Sequence, residues 1–199
     1  MQSLSLIVSL LEKVSLVLLV LYLASRTRPF GQVLQKDFNA GNRVVLIIVF
    51  AALSIYGTYS GVKLESGAIV NIREMAPMAA GLVGGPIVGF AVGLVGGIHR
   101  YTLGGLTALP CGISTTLAGL AAGLVLYGNK GKLISVRAAV LFAVLIEAAA
   151  MGIILLIARP FSQALDAVRV IAVPMISVNA IGVAVFVFMM RNVTREKYL

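Results

Sequence analysis

The stretch REMAPMAAGLVGGPIVGFAVGLVGGIHR, residues 73–100, has an arginine at each end, mostly hydrocarbon between them, and GGP at positions 84–86. As one straight helix it would hold Arg73 and Arg100 roughly 40 Å apart, at 1.5 Å of rise per residue. Broken at GGP, it becomes two short segments that bring both arginines to one face. Proline inside a helix loses a backbone hydrogen bond and clashes with the preceding turn, and paired glycines remove the resistance to a bend. The expectation is therefore a break, and the rest of the chain is read around it.

Working outward, 60% of the 199 residues are apolar, 12% are charged, and the mean hydropathy is +1.04. A soluble domain of this size cannot hide that much apolar surface in one core. The fold class expected is all-α, a polytopic membrane helix bundle. Four runs meet the length of a span directly, 4–24, 44–60, 138–158 and 170–190. The interrupted region between them divides into 66–83, 86–98 and 107–127, with 66–83 and 86–98 a short broken or re-entrant pair. The N-terminal run has no basic region before it and is too long for a cleaved signal, so it reads as a retained span.

Charge supports the division. With seven segments and the N-terminus outside, Arg26, Arg28, Lys36, Arg43, Lys130, Lys132, Arg137, Arg191, Arg195 and Lys197 fall on the inner face. Lys63, Arg73, Arg100, Arg159 and Arg169 fall outside. Ten against five is the bias expected of cytoplasmic loops, whereas an unbroken 73–98 gives seven against eight and no bias. The net charge of +9 is accounted for in this way, without a nucleic-acid partner. A transmembrane domain over 1–190 and a cytoplasmic juxtamembrane tail over 191–199 follow.

Glycines 81, 85, 89, 93 and 97 recur at every fourth residue, and Gly119 and Gly123 repeat the spacing. On helices this makes side-chain-free stripes where backbones approach closely. It is not a phosphate loop, because no GKS or GKT follows. The stretch GIHRYTLGGLTALPCGIS, 97–114, holds the only histidine, His99, and the only cysteine, Cys111. One of each excludes an internal disulfide and offers no metal cluster, so neither metal nor cofactor is expected.

Arginines at membrane depth are costly and mark functional sites, although either one alone could snorkel to the headgroups. In LTALPCGIS, Pro110 suits a first helical residue, which would put Cys111 and Ser114 in a first turn with free backbone N–H groups. Two guanidiniums, a helix start, a thiol and a hydroxyl together suit a small carboxylate, which arginine grips bidentately. Cys111 would hydrogen-bond a ketone oxygen or add reversibly to the ketone carbon, or else serve as a small buried hydrophobe. Glu147, deep in 138–158, neutralises an arginine of the empty site or bonds a neighbouring helix.

The phrases NIREM, GGP, GIHRYTLGGLTALPCGIS, IARPF (157–161) and AVPMISVNAIG (172–182) together resemble the LytS-type multi-span (5TMR-LYT) sensor domain of bacterial sensor histidine kinases, in particular its BtsS-like pyruvate sensors. The resemblance covers nearly the whole chain. It implies a receptor in the inner membrane that binds pyruvate or a related small carboxylate through Arg73, Arg100, Cys111 and Ser114, with Asn71, His99, Thr107 and Glu147 in support. It further implies membrane lipid as surroundings, a homodimer formed through a full-length kinase, and a response regulator downstream. The GAF and kinase regions of such receptors would lie beyond this chain, which carries no nucleotide-binding glycine boxes and so no enzyme activity of its own. A more distant likeness to the substrate-binding subunits of vitamin transporters leaves a transporter as the alternative. A scaffold or murein-hydrolase regulator without ligand is a third reading, which the clustered arginines disfavour.

Overall fold

The computed structural model describes residues 2–34, 39–64 and 67–196, so Lys36, Lys197 and position 66 lie outside the described residues. The chain is an all-α bundle. Its helices are α1 (Gln2–Ser25), α2 (Arg28–Leu34), α3 (Ala40–Tyr59), α4 (Met75–Thr102), α5 (Ala108–Gly128), α6 (Val136–Ile157) and α7 (Phe161–Glu196). Among the described residues, every helix except α2 is long and apolar enough to cross a bilayer. Large apolar side chains such as Leu19, Ile48, Leu141 and Phe188 remain exposed along their flanks, as lipid-facing surface requires. Asn39 caps α3 by accepting from the Asn42 amide at 2.8 Å, and Ser135 caps α6 by accepting from Ala138 at 3.2 Å.

The break in α4 is where the sequence puts it. Gly85 leaves helical geometry (φ 83°, ψ −175°), a left-handed φ that suits glycine, and Pro86 follows. In a straight helix Gly81 and Gly89 would lie about 12 Å apart. Instead, a Cβ built on Gly89 would meet the Cα of Gly81 at 2.8 Å. Residues 75–84 and 86–102 are therefore two arms folded back on each other. Both arms lie on the glycine face of α5. The second runs antiparallel to it, Gly97 facing Gly112, Gly93 facing Thr115 and Thr116, Gly89 facing Gly119, and Pro86 facing Gly123. The first arm runs parallel, with Gly81 between Gly119 and Gly123. At the tip, Gly84–Ile87 line one cavity with Leu126, Tyr127, Arg43 and Lys130, so the hairpin reaches the far end of α5.

The first arm begins later than the apolar run suggests, at Met75 rather than at 66. Before it comes a small antiparallel hairpin, β1 (Val62–Lys63) with β2 (Ile69–Val70), pairing Val62 with Val70 and Lys63 with Ile69. Asn71 explains the delay. Its Nδ2 donates to the Ile69 carbonyl at 2.6 Å and its Oδ1 accepts from the Arg73 amide at 3.0 Å. A side chain that takes up these backbone groups offers the chain a turn in place of helix.

The last helix is also longer than the run 170–190. It occupies 161–196, so residues 191–196 of the expected tail continue as helix. Near its end Arg191 donates to the Ile134 carbonyl at 3.2 Å, beside the α5–α6 connection. Arg191 and the hairpin tip with Arg43 and Lys130 thus share one end of the bundle, and the β1–β2 hairpin with Arg73 and Arg100 sits towards the other. α7 packs on α6 and α1 and touches α4.

Candidate functional site

The turn built by Asn71 points Arg73 at α5. Its Nε donates to Thr115 Oγ1 at 2.6 Å, and its Nη2 lies 3.5 Å from the Cys111 carbonyl oxygen. From the opposite direction the second arm delivers Arg100. Its Nη2 donates to Thr107 Oγ1 at 2.9 Å and its Nη1 to the Gly104 carbonyl at 2.8 Å. Both side chains are 0% exposed, and Arg100 lies within electrostatic reach of both Arg73 and Cys111. The fold-back is what makes this possible, because it converts a separation of 27 positions along one chain into neighbourhood at one end of the bundle. Arg73 Nη1 and Arg100 Nε have no hydrogen-bond partner.

Ser114 and Cys111 are buried on the α5 face that meets Arg73. The helix start drawn at Pro110 needs correction. α5 begins at Ala108, and the Cys111 amide already donates to the Thr107 carbonyl at 3.0 Å. Proline is tolerated anywhere in a first turn, so it did not fix the first residue. Free N–H groups at 111–114 therefore contribute nothing here, and the side chains remain. Thr107 stands at the N-cap position but spends its hydroxyl on Arg100 instead of the helix.

Of the supporting residues, Asn71 and Thr107 hold the two arginines as just described. His99 makes no hydrogen bond to them: its ring packs on Tyr59 with centroids 4.9 Å apart and neither nitrogen has a partner, while it lies within electrostatic reach of both arginines. Glu147 is 0% exposed and within electrostatic reach of Arg73, Glu74 and Cys111, with both carboxylate oxygens unpartnered. Among the described residues, no three His, Cys, Asp or Glu side chains are placed to hold a metal ion.

Two members of the cluster escaped the sequence reading. Glu74 is 1% exposed, so Glu147 is not alone as a deeply buried acid. Its Oε1 accepts from Ser114 Oγ at 2.5 Å, lies 3.4 Å from Thr115 Oγ1 and sits 3.6 Å from Arg73 Nη2, while Oε2 has no partner. Thr115 bridges Arg73 to the Cys111 carbonyl, to which it donates at 2.7 Å. Both left a signal. Glu74 is an acid inside a segment read as apolar, and Thr115 is four residues after Cys111, on the same helical face. The turn is also tied to α7: Asn179 Nδ2 lies 3.4 Å from the Asn71 carbonyl oxygen, and Gly182 packs against the Met75 sulfur.

A family described as 5TMR of 5TMR-LYT matches residues 27–193 of the chain. The chain is 36% identical to the sensor histidine kinase BtsS of Escherichia coli, over 100% of its own length and 36% of the relative's. It is 33% identical to the sensor protein LytS of Bacillus subtilis, over 96% of its own length and 35% of the relative's. Against the sensor histidine kinase YpdA of E. coli the identity is 30%, over 97% of the chain and 34% of the relative. The chain thus spans about a third of the length of the curated relatives it matches. No solved structure matches it.

Proposed function

The chain belongs to the 5TMR-LYT family, and from that premise we propose that it is the membrane sensor module of a two-component histidine kinase, taking a small carboxylate such as pyruvate at the Arg73–Arg100 cluster. It is a multi-pass protein of the bacterial inner membrane. The observation that carries the ligand is the pair of buried guanidiniums with one donor left over on each, Arg73 Nη1 and Arg100 Nε. Buried donors without acceptors cost free energy, and a ligand carboxylate supplies two acceptor oxygens and a compensating charge. The Ser114 hydroxyl and the Cys111 thiol line the same place and suit a second polar group of the ligand, such as a ketone oxygen.

With the N-terminus outside, as the basic residues suggest, the ligand arrives from the outer face. At that end the β1–β2 hairpin packs closely on the loop before α5, where a Cβ on Gly105 would lie 2.7 Å from the Gly67 carbonyl oxygen, so entry there requires the two to part. Binding gives the two guanidiniums a shared acceptor and draws together the segments that carry them. The Asn71–Asn179 and Met75–Gly182 contacts carry that shift to α7, whose end leads towards the kinase. The ligand biases the output only by its differential affinity for the two arrangements. A homodimer of the whole receptor and a response regulator complete the scheme.

The test is binding of labelled pyruvate to the purified chain in nanodiscs, alongside Arg100→Ala. Saturable binding that disappears in the variant is the expected result, and undiminished binding by Arg100→Ala refutes the site. The hairpin of half-helices also suits a transporter, in which broken helices frame the substrate. Counterflow in proteoliposomes separates the two readings, because a sensor binds without flux.

A further inference from the structure

Beside the free Arg73 Nη1 and Arg100 Nε, the rest of the proposed site already holds a carboxylate. Glu74 Oε1 accepts from Ser114, lies within reach of Thr115, and sits 3.6 Å from Arg73 Nη2. Arg73 and Ser114 are the partners that a small acid would seek, and Glu74 belongs to the same chain as both. We propose that Glu74 is an intramolecular stand-in for the ligand, a resident carboxylate that occupies half of the site and that an incoming small acid must displace. This rests on the carboxylate-sensor reading and adds to it a residue that sets affinity and couples binding to protons.

The geometry supports displacement in three ways. First, the resident carboxylate is incompletely held. One of its oxygens accepts from the Ser114 hydroxyl, with Thr115 Oγ1 3.4 Å away and donating to the Cys111 carbonyl instead, and the other has no partner although the residue is 1% exposed. Second, its hold on Arg73 is loose. At 3.6 Å this ion pair is longer than a charge-assisted hydrogen bond, and Arg73 keeps Nη1 free for another acceptor. Third, Glu74 is the residue just before the first arm of the hairpin, so a small rotation of that arm withdraws it. A stand-in built into the moving element releases that element when the true ligand arrives.

Charge adds the proton. The groups facing Glu74 are Arg73 beside it, Glu147 on α6, and the hydroxyls of Ser114 and Thr115 on α5, with Arg100 and His99 facing Arg73 from the second arm and Cys111 near Arg100 on α5, so the pH series is also run in His99→Gln. An added carboxylate brings a second acid to Arg73 beside Glu74, in a place with little water. A buried carboxylate that loses its arginine is stabilised by taking up a proton, so binding is accompanied by protonation of the displaced Glu74. The bound state holds the extra proton, so affinity rises as pH falls, by at most tenfold per unit for one proton. Short 2-oxo and 2-hydroxy acids stay ionised over the same range, which leaves the protein as the source of the effect.

The experiment measures labelled pyruvate binding to the intact chain in nanodiscs from about pH 8 to about pH 5.5, a window in which free carboxyl groups do not titrate. It compares the unmodified chain with Glu74→Gln, Glu147→Gln, His99→Gln and Arg100→Ala. Glu74→Gln keeps the size and the Ser114 contact and removes the competing charge. The expected result is binding roughly tenfold tighter or more at about pH 8, and a flatter pH profile, with Arg100→Ala abolishing binding in every background. Binding that is weaker or unchanged in Glu74→Gln, with Arg100→Ala still null, overturns the stand-in and leaves the carboxylate site in place. Weaker binding would also reveal Glu74 as an acceptor for a ligand hydroxyl or ammonium. If Arg100→Ala binds as well as the unmodified chain, the sensor site itself is wrong and the stand-in falls with it. Glu147→Gln and His99→Gln identify the proton's destination: a pH profile flattened in either and not in Glu74→Gln also overturns the role of Glu74.

Discussion

The hairpin stands or falls on one contact, and replacing Gly119 with alanine tests it. A Cβ at this position would collide with the Gly89 carbonyl oxygen, lie 2.8 Å from the Gly89 carbonyl carbon, and press on Pro77 Cβ at 3.1 Å. The first two atoms belong to the second arm and the third to the first, so neither arm can move without disturbing the other. Both Gly89 atoms are backbone, which cannot rotate aside as a side chain would. Overpacking of this kind costs about 1–3 kcal/mol when neighbours can yield, and here the upper end applies, about 3 kcal/mol. Alanine's greater helix propensity returns about 1 kcal/mol. The net loss is about 2 kcal/mol, roughly thirtyfold in the folding equilibrium.

The control is Gly152→Ala in α6, where a new Cβ meets nothing within 4 Å and only the propensity gain remains. Reversible unfolding in mixed micelles, followed by far-ultraviolet circular dichroism, should therefore move in opposite directions for the two variants. Gly119→Ala should also weaken carboxylate binding, since separating the arms from α5 lengthens the Arg73–Thr115 hydrogen bond. If Gly119→Ala unfolds no more readily than Gly152→Ala, the two arms do not meet on this face of α5, and the folded-back reading of 73–100 is wrong.

Two further outcomes follow from the same geometry. Asn71→Ala removes both the bond to the Ile69 carbonyl and the acceptor for the Arg73 amide, so it should cost about 1–3 kcal/mol of stability and lower carboxylate affinity. Unfolding and binding measured on one preparation check both effects, and unchanged affinity would show that Arg73 does not depend on the turn. For sidedness, cysteines replacing Lys63 and Lys132 in a Cys111→Ser background should react differently with an impermeant maleimide on intact cells. Lys63→Cys should label directly and Lys132→Cys only after permeabilisation, and the reverse pattern would invert the bundle.

The sequence was most readable where a residue type has few alternatives. Gly-Gly-Pro inside an apolar run can hardly remain straight, and the glycine period pointed to close backbone contact before any partner was known. The charge count required the fold-back independently of either. Less readable were the places where side chains replace backbone partners. Nothing in the apolar run 66–83 announces that Asn71 will capture two backbone groups and postpone the helix to Met75. The start of α5 was missed because a proline lacks an amide at any first-turn position, so Pro110 marks the neighbourhood of a start and not its first residue. Arg73, Arg100, Cys111 and Ser114 could be singled out because arginine at membrane depth, a lone thiol and a recurring motif are each conspicuous. Glu74 was overlooked since it stands next to Arg73 and reads as that residue's companion, although i and i+1 side chains ordinarily diverge on a helix. It reaches Arg73 and Ser114 because the chain at 71–74 is a turn and not yet a helix.

The same turn explains why the polar cluster and the last helix belong to one mechanical unit. A bundle held only by apolar side chains and glycine seams transmits a local change poorly, because each contact is non-directional and can slide. Here the segment 71–75 makes three contacts with two helices. Arg73 reaches α5 through Thr115, Asn71 meets α7 through Asn179, and Met75 fits the space left by Gly182 on α7. Asn179 is 0% exposed and its Oδ1 has no partner, so its hold on the Asn71 carbonyl rests on a single hydrogen bond. One marginal bond between buried polar groups is a weak fastener and a sensitive one, since its loss leaves two groups unpaired. On the proposed reading, movement of Arg73 towards a ligand would pull on the Asn71 carbonyl directly through the backbone. The helix that registers that pull is α7, which also continues past the apolar run to Glu196. Rigid glycine packing on one side of the turn and a lone polar bond on the other direct any displacement towards α7.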